Sequence, residues 1–384
     1  MAEIVSVPVL IVGAGPSGLA IAACLNNLSI SNTVLERENC YGSLWKHRCY
    51  DRVSLHLAKH FCELPLHPHS PTTPKYMPKA TFLAYLDEYV SKFNINPRYN
   101  RHVESAEFDE SIKSWRVEAK NLLSEVTEVY VAEFLVVATG ENSEGVIPQI
   151  PGLDTFPGEI LHSSLYKSGK QYEGKNVLVV GCGNSGMEIS LDLSNFGART
   201  TIVARNPIHV LSKEMVYTGM FLLKHLGVGL VDRAVTWLST LKFGDLTIYG
   251  IRRPTEGPFY LKGLTGRSPT IDAGTVAKIK AGEIKVAPEI SHINANLVTF
   301  RDGKVSSFDA IILATGYKSS ANKWLKDFKY ILNNDGLPKQ KQPDHWKGDN
   351  GIYCIGLSKN GLFGIARDAE EASDDIFKIL KARE

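Results

Sequence analysis

The apolar positions of this chain change period along its length, and the changes mark out its elements. Val7 to Val12 is a β-branched run, the pattern of a strand covered on both faces. From Ser17 to Leu28 the apolar residues follow a helical spacing, and Thr33 to Leu35 returns to a short buried strand. Thr81 to Phe93 places Phe82, Leu83, Tyr85, Leu86, Tyr89 and Val90 on one helical face. Val103 to Val117 and Val126 to Val131 alternate, which predicts strands of a small antiparallel sheet, and Phe134 to Ala138 reads as a separate buried strand. A second strand–helix–strand series follows at Val177 to Val180, Met187 to Phe196 and Thr200 to Val203. Ile284 to Val286, Leu297 to Phe300, Asp309 to Leu313 and Ile352 to Ile355 predict further strands, and Gly364 to Leu380 the last helix. Residues 207–275 are less regular and partly helical. The fold class this predicts is α/β, with two Rossmann-like dinucleotide-binding domains.

Proline and glycine set the boundaries. Prolines 65, 68, 71, 74 and 78 forbid long regular elements between His56 and Pro78. Pro148 to Gly158 reads as a hinge. The expected division is a first domain from 1–150 with 310–384, a second over 165–300 carrying the 207–275 insert, and a connecting stretch at 148–166.

Each strand–helix–strand series is joined by a glycine loop. The first is Gly13-Ala14-Gly15-Pro16-Ser17-Gly18, and the second Gly181-Cys182-Gly183-Asn184-Ser185-Gly186. In this context the first glycine makes a tight turn, the second lets a pyrophosphate approach the backbone, and the third lets helix pack on strand. The helix N-terminus then offers amide N–H groups to phosphate. Alone, such a loop is also a plain tight turn; flanked by strand and helix it reads as a dinucleotide site.

The position after each second strand differs. The first series has Glu36, which accepts from ribose hydroxyls and repels a 2′-phosphate, followed by Arg37. The second has Ala204-Arg205, and an arginine there accommodates the 2′-phosphate of NADP; a solvated surface charge is the competing reading. FAD is therefore assigned to the first loop and NADPH to the second, since electron transfer between two dinucleotides needs one resident acceptor. The strand ends Ala138-Thr139-Gly140 and Ala314-Thr315-Gly316 repeat one another. Thr139 and Gly140 are assigned to FAD, Thr315 and Gly316 to NADP; each could also be a simple strand-end turn. Gly356 and Leu362, before and at the opening of the last helix, are assigned to FAD as well.

Composition narrows the field. The chain has 384 residues, a formal net charge of +2 and no basic stripe, which argues against a nucleic-acid partner. The six cysteines, at 24, 40, 49, 62, 182 and 354, contain no CxxC, which disfavours a disulfide reductase and a cysteine-rich metal site; no metal is expected. No transmembrane segment is expected either, since Lys224, His225, Asp232 and Arg233 interrupt Met215 to Leu238. With six residues ahead of Val7 a signal peptide is not expected, and the expected location is cytoplasmic.

Phe156-Pro157-Gly158-Glu159-Ile160-Leu161-His162-Ser163-Ser164-Leu165-Tyr166 resembles the FxGxxxHxxx(Y/F) identifying motif of flavin-containing monooxygenases, just ahead of the second glycine loop. A similarity along nearly the whole chain is to the plant YUCCA flavin monooxygenases. It rests on Gly42-Ser43-Leu44-Trp45, Tyr50-Asp51-Arg52, Leu55-His56-Leu57, Phe61 to Pro65, Ala138 to Asn142, Leu230 to Arg233, Gly274 to Lys280 and Ala310 to Ser319. The resemblance implies oxidative decarboxylation of an aromatic 2-keto acid, indole-3-pyruvate, to indole-3-acetate in auxin biosynthesis, with oxygen activated on the flavin. Oxygenation of a soft sulfur or nitrogen nucleophile, and a non-catalytic dinucleotide-binding regulator, are the alternatives.

The resemblance also implies roles for single residues. His162 and Tyr166, which would share a face if their stretch were helical, would bridge the domains and position NADP; packing at a hinge is the competing reading. Trp45 would cover part of the flavin, or serve as ordinary core. The family often carries an asparagine near the flavin in the stretch matching Leu57 to His60; here that stretch offers Lys59, a donor or a solvated charge. Asn142 follows the first Ala-Thr-Gly and either serves the site or holds a turn.

Overall fold

The computed structural model describes residues 4–383. Two compact units make up the chain. The first comprises residues 1–48, 59–144 and 317–384; the second comprises 49–58 and 145–316.

The first unit opens with β1 (Ile4–Val12), α1 (Pro16–Asn27) and β2 (Asn32–Leu35). A one-turn helix α2 (Ser43–His47) and an amphipathic α3 (Lys79–Lys92) precede β3 (Arg101–Asp109), β4 (Ser114–Asn121) and β5 (Thr127–Val137). The alternating and the continuous apolar runs expected as two strands form one. Its first half pairs antiparallel with β4, where Thr127 and Val131 are only half-buried, and its whole length from Val129 runs parallel to β1. A polar-out pattern thus gives way to a fully buried one within a single strand. The sheet order is β2-β1-β5-β4-β3, so the antiparallel part continues the parallel one. Helix α1 carries apolar residues around most of its circumference because it is buried on nearly every side, from Ser17 to Leu25.

The second unit has the parallel sheet β6 (Glu159–His162), β7 (Asn176–Val180) and, after α4 (Asn184–Asn195), β8 (Arg199–Val203). The 207–275 insert contains three helices, α5 (Lys213–Leu222), α6 (Val228–Phe243) and α7 (Pro258–Thr265). Helix α8 (Thr275–Lys280), β9 (Ile284–Ala287), an antiparallel meander β10 (Ile290–Asn294), β11 (Leu297–Phe300) and β12 (Val305–Ser307), and then β13 (Ala310–Leu313) complete it. The sheet order is β9-β8-β7-β13-β6, all parallel.

The structure departs from these expectations in several places. Residues 310–316 belong to the second unit, because β13 is hydrogen-bonded between β7 and β6. The start of the motif stretch is an edge strand, β6, and not a helix, so His162 and Tyr166 do not share a helical face. Residues 49–58 also join the second unit, where Tyr50 donates to Glu188 of α4 at 2.9 Å and His56 Nε2 lies 2.6 Å from the same carboxylate.

The first unit is closed by β14 (Ile352–Cys354), parallel to β5, and α9 (Gly361–Lys381). The buried residues of α9, from Gly364 through Ile365, Ala369, Ala372 and Ile376, form the stripe that packs on α1.

Candidate active site

A cavity in the first unit is built around the first glycine loop. Gly13 has φ +108°, and a Cβ placed there would lie 2.6 Å from the Ala138 carbonyl oxygen. A Cβ on Gly18 would lie 1.8 Å from the Gly13 carbonyl oxygen, so α1 can start this close to β1 only without a side chain. Gly15 faces open space and lines the cavity. Helix α1 has Pro16 in its first turn, no side-chain cap and no acidic residue there. Its free amides suit an anion.

Glu36 lines the cavity at the end of β2 and is buried; one carboxylate oxygen accepts from Ala14 N–H at 2.7 Å, the other from Glu38 N–H at 2.9 Å. Burial raises its pKa, and the two backbone donors pull it partly back. Arg37, Trp45, Thr139, Gly140, Asn142, Gly356 and Leu362 line the same cavity, as do Pro16 and Ser17. Ala14 and Gly18 support it from behind: the first through its N–H to Glu36, the second through the close approach just described. The Trp45 ring packs edge-on against Phe82, centroids 4.7 Å apart.

Sequence reasoning missed several residues of this cavity, among them Arg48, Arg101, His102, Ser320 and Trp324. Among the lining residues, the Thr139 hydroxyl and the Trp324 indole N–H are buried without a hydrogen-bond partner. A buried orphan costs about 1–3 kcal/mol, so two donors in the lining of one cavity fit a polar ligand that completes them. Residues that fit a flavin dinucleotide are thus present: an uncapped helix, a buried carboxylate and two donors.

The second loop repeats the first. Gly181 has φ +115° and an added Cβ would lie 2.4 Å from Ala314 O; on Gly186 it would lie 1.9 Å from Gly181 O; Gly183 is open. Helix α4 likewise has no side-chain cap and no acid in its first turn. Asn184 Oδ1 accepts from Ile271 N–H at 2.7 Å, which ties the loop to the strand residue ahead of α8, and Ser185 is half-buried behind it. Cys182 is buried against Met187, and burial pushes its thiol up to about 12, so it is a packing residue. Arg205, two residues past β8, is exposed and 3.8 Å from Glu289. The Thr315 hydroxyl donates to Val146 O, and Gly316 O lies 3.1 Å from His162 Nε2.

His162 is buried, with Ser164 N–H donating to its Nδ1 at 3.2 Å, so the ring carries its hydrogen on Nε2 and donates to Gly316 O. Burial lowers its pKa, against a smaller upward pull from that carbonyl. Tyr166 is fully buried, and its hydroxyl donates to Asp192 of α4 at 2.7 Å. Lys59 does not line the cavity; its ammonium donates to the carbonyls of Ser70, Pro71 and Thr73 at 2.8, 3.0 and 2.9 Å and so organises the proline-rich loop. Among the described residues no group of three or more His, Cys, Asp or Glu could hold a metal ion, and no helix is long and apolar enough to cross a membrane.

Two sheets, one mixed and one parallel, each with an uncapped helix behind a glycine loop, define a flavoprotein with two dinucleotide sites. Comparison with known proteins makes the class definite: the flavin-binding monooxygenase-like family model matches residues 7–360, and the chain belongs to that family. It is a flavin-dependent monooxygenase, with FAD and NADPH as its cofactors. It is 56% identical over 373 residues to a probable indole-3-pyruvate monooxygenase of Arabidopsis thaliana, YUCCA10, with 97% of each chain covered. It is 48% identical to the Arabidopsis indole-3-pyruvate monooxygenase YUCCA6, covering 97% of this chain and 91% of that one. Among solved structures, a flavin-containing monooxygenase from Stenotrophomonas maltophilia superposes with a TM-score of 0.74 at 21% identity, covering 98% and 99% of the two chains. An oxidized steroid monooxygenase bound to NADP gives 0.74 at 17%, covering 98% and 86%. At these identities the structures speak to fold alone.

Proposed function

We propose that this chain is an indole-3-pyruvate monooxygenase, which uses O2 and NADPH to convert that aromatic 2-keto acid to indole-3-acetate and CO2. The observation that carries the reading is the 56% identity, over 97% of both chains, to a relative bearing that name. The six cysteines are all free, which supports a reducing compartment, and we assign the cytoplasm.

When bound, the flavin accepts hydride from NADPH and activates oxygen. The protein's part is to hold and shield. In our reading the α1 amides and Gly15 take the FAD pyrophosphate, Glu36 the adenosine ribose, and the Thr139 hydroxyl and Trp324 indole N–H give the same cofactor the hydrogen bonds they lack. Trp45, with Leu362 at the opening of α9, supplies apolar wall that excludes water. Gly183 and the α4 amides take the NADPH pyrophosphate, and Arg205 takes the 2′-phosphate. His162 fixes the Gly316 carbonyl behind that site, and Tyr166 holds α4 through Asp192. Neither side chain is asked to move a proton.

The test is product analysis of the purified yellow protein with NADPH, oxygen and indole-3-pyruvate. Indole-3-acetate and CO2 in proportion to NADPH are expected. Flavin bleaching with hydrogen peroxide as the only product refutes the substrate; sulfoxide from a thioether in its place selects nucleophile oxygenation.

A further inference from the structure

Beside the cavity of the first unit lies a buried histidine–carboxylate pair. His345 and Asp368 are 3% and 0% exposed, and His345 Nε2 stands 3.0 Å from Asp368 Oδ1. Nδ1 of the same ring is 3.1 Å from the Pro343 carbonyl, an acceptor only, so Nδ1 carries a hydrogen. Nε2 and the carboxylate are joined by a hydrogen bond. The other carboxylate oxygen accepts from the Gly356 N–H at 3.2 Å. Pro343 O, His345, Asp368 and Gly356 N–H therefore form one hydrogen-bonded chain.

Its end point is the cavity wall. Gly356 follows β14 with φ +70°, lines the cavity, and sits so close to Ser17 that a Cβ would lie 2.2 Å from the Ser17 hydroxyl. Gly361 and Leu362, a few residues on, line it as well. Asp368 lies two turns into α9, so it ties this loop to the helix the loop leads into. Burying a carboxylate and an imidazole for packing alone gains little, since an apolar pair of equal volume does as well or better. A carboxylate that must meet one backbone N–H at a fixed place is a different matter.

We propose that Asp368, held by His345, is a positioning residue for the flavin: it fixes the Gly356 N–H, and with it the wall formed by residues 356–362, against the start of α1. The inference rests on the assignment of this cavity to FAD. It concerns how tightly FAD is held and is read without substrate, so it stands or falls separately from indole-3-pyruvate.

The experiment follows FAD release from the holoenzyme as the rise in flavin fluorescence on dilution. Asp368→Ala leaves the Gly356 N–H without its acceptor and should speed release about tenfold. Asp368→Asn keeps the geometry: Oδ1 accepts from Gly356, and Nδ2 donates to a neutral His345 Nε2. It should release FAD within about threefold of wild type. Asp375→Ala is the control. Asp375 binds Lys347 and the Tyr353 hydroxyl, both at 2.6 Å, and so anchors the same helix without touching Gly356; its release rate should stay at the wild-type value. Should Asp368→Ala not fold, His345→Leu breaks the chain from the other end, strips Asp368 of its partner and should also speed release about tenfold. Wild-type release from folded Asp368→Ala or His345→Leu overturns the proposal. So does an Asn variant as leaky as Ala, or an Asp375→Ala variant as leaky as either.

Discussion

The two glycine loops are nearly the same object. Their first glycines have φ +108° and +115°, and added Cβ atoms would stand 2.6 and 2.4 Å from the carbonyl of the alanine ending a neighbouring strand. Their third glycines would collide at 1.8 and 1.9 Å with the carbonyl of their first. Both helices run for 12 residues without a cap or an early acid. The contrast begins after the second strand. Glu36 is buried with both oxygens engaged by backbone N–H groups, whereas Arg205 is exposed beside Glu289. In our reading the loop holds a pyrophosphate, and the residue after the next strand selects whose. In our reading the buried acid suits a cofactor that stays, and the exposed cation one that comes and goes.

The largest break in this symmetry comes from filling one loop at a time. A methyl group 1.8 Å from a backbone oxygen has nowhere to go, so Gly18→Ala must displace α1 from β1. The purified protein should be colourless, its flavin content down at least about tenfold, a loss of roughly 1.4 kcal/mol or more. Gly186→Ala meets the same obstacle in the second unit and should leave a yellow protein that dithionite bleaches and NADPH does not. The absorbance ratio at 450 and 280 nm and anaerobic reduction read both. A colourless Gly186→Ala protein, or a Gly18→Ala protein with full flavin, reverses the assignment of the loops.

Next comes the acid. Glu36→Ala removes the acceptor for Ala14 N–H and, in our reading, for the ribose, and should weaken FAD binding about tenfold while leaving NADPH selectivity unchanged. Flavin fluorescence titration measures the first, and the ratio of kcat/KM for NADPH and NADH the second.

Much of this was legible in the sequence, for a physical reason: a close backbone approach requires glycine, and the requirement leaves a spaced signature at Gly13, Gly15 and Gly18. Other features leave none. Ser320 and Trp324 line the first cavity although some 300 residues separate them from its loop, and nothing local marks a tryptophan that lines a cavity with its indole N–H buried and unpartnered. Tyr166 stands in a conspicuous motif, yet its hydroxyl is spent on Asp192 in the core, and Lys59 is spent on three carbonyls of a loop. Composition shows that such groups exist; only folding shows what they touch. The placement of 310–316 failed for a related reason. Both units end a strand in Ala-Thr-Gly, so the local sequence fits either sheet, and only the pairing of β13 with β6 and β7 decides.

Arg205→Ala sharpens the second half of the contrast. An exposed arginine on a phosphate contributes less than a buried one, so the preference for NADPH over NADH should fall about tenfold, with flavin content unchanged. Steady-state kinetics with both nucleotides gives the ratio, and an unaltered preference removes Arg205 from the site. Glu289→Gln acts in the opposite sense: it relieves Arg205 of a carboxylate at 3.8 Å and should lower the KM for NADPH by about threefold at most.

The smallest expected effect lies where the two Ala-Thr-Gly ends differ in their partners. The Gly140 carbonyl accepts from the Ser143 hydroxyl at 2.8 Å, which does not titrate, whereas the Gly316 carbonyl accepts from His162. Burial holds the His162 pKa below its ordinary value. The folded ring therefore stays neutral at a pH where the unfolded chain, with a histidine pKa near 6.5, has begun to take up its proton. The stability this residue contributes is present at pH 7 and is lost as the pH falls through that value towards the depressed one. His209, buried in the same unit and shifted in the same direction, adds to the slope and stays behind in the variant. His162→Gln can still donate to Gly316 O and cannot titrate. Between pH 7 and 5 the thermal midpoint of the variant should therefore fall less than that of wild type, by roughly 2 °C, while Ser143→Ala leaves the slope as it was. Parallel curves for His162→Gln and wild type would show that the proton of this ring is not coupled to folding, and the two strand ends would then be equivalent in this respect too.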